Sequence, residues 1–237
     1  MLILYRIYQF TIYWPILLVA TILTASLTII GSALGWGRSW GYYIPRLWAK
    51  LFCWLTFVKV TVKGRENVEK GKSYVFVANH QGAYDIFAIY GYLNHQFRWM
   101  MKKSLEKIPL VGYSCRVSGQ IYVDNSSPSA IRETMEDAKK QLAGGMSVVV
   151  FPEGSRTFTG AVGRFKRGAY TLAMEFNLPV VPITIDGAFK VMPRTAKLPH
   201  WGHITLTIHK PIEPGEEGHD LNRLMDDSRN AILSSLK

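Results

Sequence analysis

The chain opens on a long apolar stretch. Between positions 10 and 37 there is no charged residue, and positions 16–34 are almost wholly apolar with a few Thr and Ser. Roughly 20 apolar residues make a helix as long as a hydrocarbon core is thick, so the run predicts a segment able to cross or enter a bilayer. A cleaved signal peptide is the rival reading. It fits poorly, because the run exceeds the usual ~7–15 apolar residues and a single Arg6 stands ahead of it. From position 36 to 63, Trp40, Tyr42, Tyr43, Trp48 and Trp54 alternate with Arg38, Arg46, Lys50 and Lys59. Aromatic and cationic side chains mixed in this way suit the headgroup level of a membrane; a core helix with exposed charges is the bland alternative. The cations lie C-terminal to the apolar run, so the positive-inside rule puts the main domain on the cytoplasmic face of an inner (cytoplasmic) membrane. The run itself either crosses or pairs with positions 47–60 as a hairpin in one leaflet.

Past Gly64 short apolar runs alternate with amphipathic ones. Positions 58–62, 74–78, 97–101, 121–123, 147–151, 180–185 and 203–209 read as strands, some alternating and some apolar throughout. Between them 85–93 reads as a helix. Ser127-Pro128 opens another, with apolar positions Ile131, Met135, Ala138 and Leu142, closed by Gly144-Gly145. A helix is expected near 167–176, and Leu221, Leu224, Met225, Ser228, Ile232 and Leu236 make one face of a closing helix. Strands alternating with helices predict an α/β domain, here a mixed, mostly parallel sheet flanked by helices. It occupies residues 58–237, behind a membrane-associating helical segment of residues 1–57.

Charge narrows the partners. With 28 Lys and Arg against 17 Asp and Glu, the net +11 points to nucleic acid, anionic lipid or a phosphorylated substrate. No zinc-finger spacing, arginine-rich tail or aromatic RNA-binding signature occurs, which argues against nucleic acid, and the apolar segment favours a membrane surface. Cys53 and Cys115 are too few and too far apart for a disulfide framework or a Cys-x-x-Cys site, so reduced thiols are expected.

Two polar segments follow buried strands: Asn79-His80-Gln81-Gly82-Ala83-Tyr84-Asp85, and Phe151-Pro152-Glu153-Gly154-Ser155-Arg156-Thr157. Ligands of open α/β sheets bind beyond the carboxyl ends of strands, so both segments are expected to face one crevice. A tight turn through Gly82 lets Asp85, in the first helical turn, fold back onto His80. That contact holds one ring N–H and leaves the other nitrogen to take a proton from an alcohol. A surface histidine beside a helix-capping Asp shows the same spacing. There is no G-x-S-x-G elbow, no H-E-x-x-H, and no motif around Cys115, so the histidine is read as activating the substrate's own hydroxyl. Gly154 permits close backbone approach, with N–H groups near it as candidate oxyanion donors, and Arg156 offers a planar fork of donors suited to phosphate. Lys102, Lys103, Lys166 and Arg167 lie at other strand ends or loops, either in the same site or on a solvated basic face.

Asn79-His80 with Asp85, then Phe151-Pro152-Glu153-Gly154-Ser155-Arg156, then Val181-Pro182-Ile183, in that order, resemble the motifs of the glycerolipid acyltransferase family over residues 59–210. Lys102-Lys103-Ser104-Leu105, with Pro109 and Gly112 behind it, is similar too, with Ser104 where many members carry Glu. The resemblance implies transfer of a fatty acyl group from acyl-ACP or acyl-CoA to the sn-2 hydroxyl of lysophosphatidic acid, a step of phospholipid biosynthesis. His80 would be the general base, Asp85 its orienting partner, and Glu153 a residue that holds the acceptor or organises the loop. Arg156, Gly154, Ser155, Lys102 and Lys103 would bind the acceptor and its phosphate. A thioester is already activated, so neither a metal nor a redox cofactor is expected. One departure stands out: Asp124-Asn125 occupies the place of the family's usual Asp-Arg. Acylation of another lyso-lipid, transacylation between phospholipids, and non-enzymatic binding of anionic lipid are the alternatives. The last leaves His80 and Asp85 without a role.

Overall fold

In the computed structural model, residues 1–124, 126–143, 145–215 and 220–237 are described. The strands are β1 (Val58–Lys63), β2 (Val75–Ala78), β3 (Phe97–Lys102), β4 (Ile121–Val123), β5 (Ser147–Val150), β6 (Val180–Asp186) and β7 (Gly202–Ile208). They form one sheet in the order β1-β7-β6-β2-β5-β3-β4. β2 runs parallel to both β5 and β6, and β3 to both β5 and β4. β7 is antiparallel to β6 and parallel to β1. The sheet is therefore mixed and mostly parallel, and the carboxyl ends of β6, β2, β5, β3 and β4 share one edge.

Helices cover both faces, which is why β2 is apolar throughout and β5 is three valines after Ser147. One layer holds α3 (Gly37–Leu55), α4 (Tyr84–Tyr92) and the short α8 (Ala188–Val191), packed through Tyr42, Cys53, Ile89 and Ala188 onto Phe76, Phe97 and Ile183. The other holds α6 (Pro128–Ala143), α7 (Gly168–Glu175) and α9 (Leu221–Ser234), packed through Ala138, Leu172, Leu224 and Ile232 onto Val75, Val148 and Val180. α5 (Val111–Val117) joins β3 to β4. Every strand and helix expected from the pattern is present within a residue or two.

Two expectations are corrected. Ile131, assigned to the inner face of α6, is 46% exposed, and Thr134 is buried instead. The Thr134 hydroxyl accepts from the Asp124 N–H at 3.2 Å and donates to Ala130 O at 3.0 Å, so the helix meets the sheet at the end of the short β4. The turn carrying Ile131 lies past that strand. Tyr42, assigned to the headgroup level, is a core residue between Tyr90 and Phe97. Trp36, Tyr43 and Trp54 do face outward. Asn125 and Gly144 lie outside the described residues.

The apolar segment is one continuous helix, Leu2–Ala33, built from α1 (Leu2–Tyr8), a π-helical turn (Gln9–Tyr13) and α2 (Trp14–Ala33). It is long and apolar enough to cross a membrane. Yet Tyr5, Gln9, Tyr13 and Leu17 are buried. A stripe spaced by four drifts about 40° per step around an α-helix, and the wider π turn absorbs the drift so that all four face the domain. The hydroxyls of Tyr5 and Tyr8 donate to Thr56 O (3.1 Å) and Leu55 O (2.9 Å), and the Gln9 amide donates to Pro199 O at 2.9 Å. Further along, Trp48 Nε1 donates to Thr21 Oγ1 at 2.9 Å, and α2 packs against α3 and α5. The helix, about 48 Å long at 1.5 Å per residue, thus lies along the domain instead of standing away from it.

Candidate active site

β2 ends at Ala78, and the buried Asn79 prolongs its pairing to β6 with a side chain. The Asn79 amide donates to Ile185 O at 2.9 Å and accepts from Ile185 N–H at 2.7 Å. This fixes the chain just ahead of His80. His80 Nδ1 lies 2.8 Å from Asp85 Oδ2, and the Gly82 N–H donates to the same oxygen at 2.8 Å. Gly82 leaves no room for a side chain: a Cβ there would meet Ala188 O and Met192 O at 2.6 Å. Asp85 is fully buried, and burial pushes its carboxyl up against the opposing pull of His80 and the turn N–H groups. An ionised Asp85 only accepts, so Nδ1 carries the hydrogen and Nε2 keeps its lone pair.

β5 delivers the second segment beside the first, because β2 and β5 are neighbours. The Phe151 ring lies flat on the imidazole, centroids 3.9 Å apart and planes 6° from parallel. Glu153 Oε1 accepts from the His80 N–H and Oε2 from the Gly163 N–H, each at 2.7 Å. Burial pushes the Glu153 carboxyl up while these donors draw it down. The Thr157 N–H donates to His80 O at 2.9 Å, and the Gln81 amide to Gly160 O at 2.9 Å. Three of these bonds stitch the loop to the residues around His80, and the Gly163 contact closes the loop on itself.

The remaining site residues are placed less uniformly. Gly154 has φ +74°, a left-handed conformation that favours glycine, and the flexible end of Lys166 lies beside it. Its N–H donates to Phe151 O at 2.9 Å, which removes it from the expected oxyanion donors. Ser155 is exposed and Arg156 half-buried, one residue before the Thr157 contact with His80. Arg156 O accepts from Arg194 Nη1 at 3.3 Å, and the Arg194 guanidinium lies over Phe158 at 4.2 Å. Lys102 and Lys103 are exposed at the carboxyl end of β3, on the same sheet edge, and Lys103 is ion-paired with Asp124 at 3.1 Å. Arg167 reaches Asn222 Oδ1 on α9 at 3.1 Å and belongs to that surface. Among the described residues no three His, Cys, Asp or Glu side chains gather as metal ligands.

Sequence reasoning missed the Phe151 ring, the side-chain splint of Asn79, and the hydroxyl pair Tyr13–Tyr84, 3.1 Å apart and buried. Phe76, Ala78 and His80 fall on one face of β2 and its extension, and only the register pairing Val77 with Val150 brings Phe151 to that face.

A His–Asp pair at the end of one parallel strand is thus faced by a Pro-Glu-Gly loop at the end of the next. The family model described as Acyltransferase matches residues 59–186, and the chain belongs to this family. It is 31% identical over 201 residues to a chloroplastic 1-acyl-sn-glycerol-3-phosphate acyltransferase of Brassica napus, covering 84% of this chain and 57% of that protein. The 1-acyl-sn-glycerol-3-phosphate acyltransferase of Pseudomonas aeruginosa is 28% identical over 181 residues, 74% of this chain and 69% of that one. The chain thus spans little more than half the length of the plant protein. The crystal structure of the 1-acyl-sn-glycerophosphate acyltransferase PlsC from Thermotoga maritima superposes with a TM-score of 0.81 at 26% identity, covering 97% of this chain and 92% of that one.

Proposed function

We propose that the chain is a membrane-bound O-acyltransferase that moves a fatty acyl group from acyl-ACP or acyl-CoA to the sn-2 hydroxyl of 1-acyl-sn-glycerol-3-phosphate, giving phosphatidic acid. The observation that carries this reading is the 2.8 Å His80–Asp85 contact, which leaves Nε2 as a proton acceptor at the shared sheet edge. Nε2 takes the proton of the acceptor hydroxyl while its oxygen attacks the thioester carbonyl carbon. The tetrahedral oxyanion collapses, the C–S bond breaks, and the thiolate recovers the proton from the imidazolium. Asp85 orients the ring. Glu153, with both oxygens bound to backbone N–H groups, organises the loop; Arg156, Gly154, Ser155, Lys102 and Lys103 take the acceptor and its phosphate. The names of the relatives and of the structural neighbour support this choice of acceptor.

The start of the family match at residue 59 supports a division into a membrane-associating segment, 1–57, and an acyltransferase domain, 58–237. The helix Leu2–Ala33 is bonded to the domain near its start and packed on it near its end, which favours a seat in one leaflet, and the cations C-terminal to it favour the cytoplasmic face of the inner membrane. Crossing would require those contacts to break.

The test is purified protein with lysophosphatidic acid and a labelled acyl thioester. Phosphatidic acid is expected to form, and His80→Ala to abolish it with folding and membrane attachment intact; a fully active His80→Ala would rule out the base. The uncharged Asn125 favours one second reading, a lyso-lipid acceptor with a different headgroup, and a panel of acceptors in the same assay separates the two.

A further inference from the structure

We propose that Phe151 is a positioning residue for this reaction, its ring fixing the plane of the His80 imidazole and stabilising the imidazolium that forms when the acceptor hydroxyl gives up its proton. The inference rests on the reading of His80 as the base. A single hydrogen bond at Nδ1 sets the direction of one edge of the ring but leaves rotation about the Nδ1–Oδ2 line open. A flat neighbour closes that freedom. At 3.9 Å and 6°, the His80–Phe151 pair is the closest and most nearly parallel ring pair among the described residues, where aromatic pairs otherwise prefer about 4.5–7 Å. Phe151 is itself backed by Trp99, with centroids 5.4 Å apart and planes at 25°. The three rings form a ladder from the end of β2 over the end of β5 to the middle of β3. Asp85 occupies one edge of the imidazole and Phe151 one face, which leaves the Nε2 edge and the other face for substrate.

The contact is also differential. Over a neutral imidazole the Phe151 face supplies dispersion and burial; over an imidazolium it adds the attraction of a cation for the ring quadrupole. An interaction stronger in the transition state than in the bound ground state lowers the barrier to reaction, and so is read in kcat with KM unchanged.

The experiment places 4-fluoro-, 3,5-difluoro- and 3,4,5-trifluorophenylalanine at position 151 of the full chain. Each fluorine drains the ring face with almost no change of shape. Log kcat is expected to fall in step with the number of fluorines, by about 3- to 10-fold at the trifluoro ring, with KM for the acceptor and the thermal midpoint unchanged. Phe151→Leu, which removes the face altogether, is expected to lose about 10- to 100-fold in kcat; the fluorinated series keeps the test decisive should that variant fold poorly. A flat series, or one that moves KM as much as kcat, overturns the proposal. With His80→Ala inactive, a flat series sinks only the role of Phe151. An active His80→Ala sinks the base assignment and this inference with it.

Discussion

Glu153 is where two roles can be told apart by one pair of substitutions. Its oxygens accept from the His80 and Gly163 N–H groups at 2.7 Å each, so the geometry makes it a brace for the main chain at the base. In Glu153→Ala both donors lose their acceptor. The Gly163 end is exposed and water replaces the lost partner there, whereas the His80 end is partly buried and does not recover fully. An unsatisfied buried donor costs about 1–3 kcal/mol, so the variant is expected to lose that much stability, a drop of about 2–12 °C in Tm for a chain of this size. Freed main chain displaces the imidazole, and kcat is expected to fall about 10- to 100-fold. Glu153→Gln keeps one carbonyl oxygen for the His80 N–H and turns its NH2 to the watery side, so it should retain most of both stability and kcat. Urea unfolding and steady-state kinetics on the two variants read the outcome. If Gln is as damaging to kcat as Ala while both unfold like wild type, the negative charge acts on the reacting groups and the brace is refuted. A rise in KM alone would instead mean that Glu153 holds the acceptor.

Asp85→Asn is expected to lower kcat by about 10³- to 10⁴-fold, because an amide no longer dictates which imidazole nitrogen carries the hydrogen. Burial holds the Asp85 carboxyl above its ordinary value; a raised folded value means stability present in full below the unfolded carboxylate range and lost as pH rises through the folded one. Urea midpoints of wild type should therefore fall across that window and those of Asp85→Asn should not, and equal slopes would refute the burial argument. Arg156→Ala is expected to raise KM for a phosphate-bearing acceptor with kcat nearly unchanged, by about 10- to 150-fold if a charge-assisted contact worth about 1.5–3 kcal/mol is lost. An unchanged KM would put the phosphate elsewhere.

Much of the fold was legible because periodicity survives folding. The apolar β2 and β5 and the one-sided α9 could only be what they are. The His80–Asp85 contact was legible for a local reason: His80, Gly82 and Asp85 lie within a single turn at the end of a buried strand, and position together with spacing pointed to the contact. What could not be read depends on pairing across the sheet. That Glu153 accepts from the His80 N–H follows from β5 lying beside β2 at a register pairing Val77 with Val150, a fact with no trace in either segment alone. Phe151 ends an apolar strand and reads as core until the neighbouring strand proves to end in a histidine. Ile131 was misread because the stripe of α6 assumes a strand long enough to meet it, and β4 has three residues.

The N-terminal helix does more than its composition alone suggests. Most of its large apolar side chains are exposed, as an apolar segment that enters a bilayer requires, yet Tyr13, 2% exposed, meets the hydroxyl of Tyr84, the residue next to Asp85. The Tyr13 ring also meets Phe52 edge-on, and Phe52 in turn stacks on Phe87 of α4 with centroids 4.2 Å apart. The helix that carries Asp85 is therefore packed on the sheet from one side and bounded by α3 and the π turn from the other. An anchor serving only to hold the domain near lipid needs no buried tyrosine, no buried Gln9 and no break in helical register. These features tie the segment to the helix that carries Asp85, so that the position of the His80–Asp85 pair depends on how the N-terminal helix is packed.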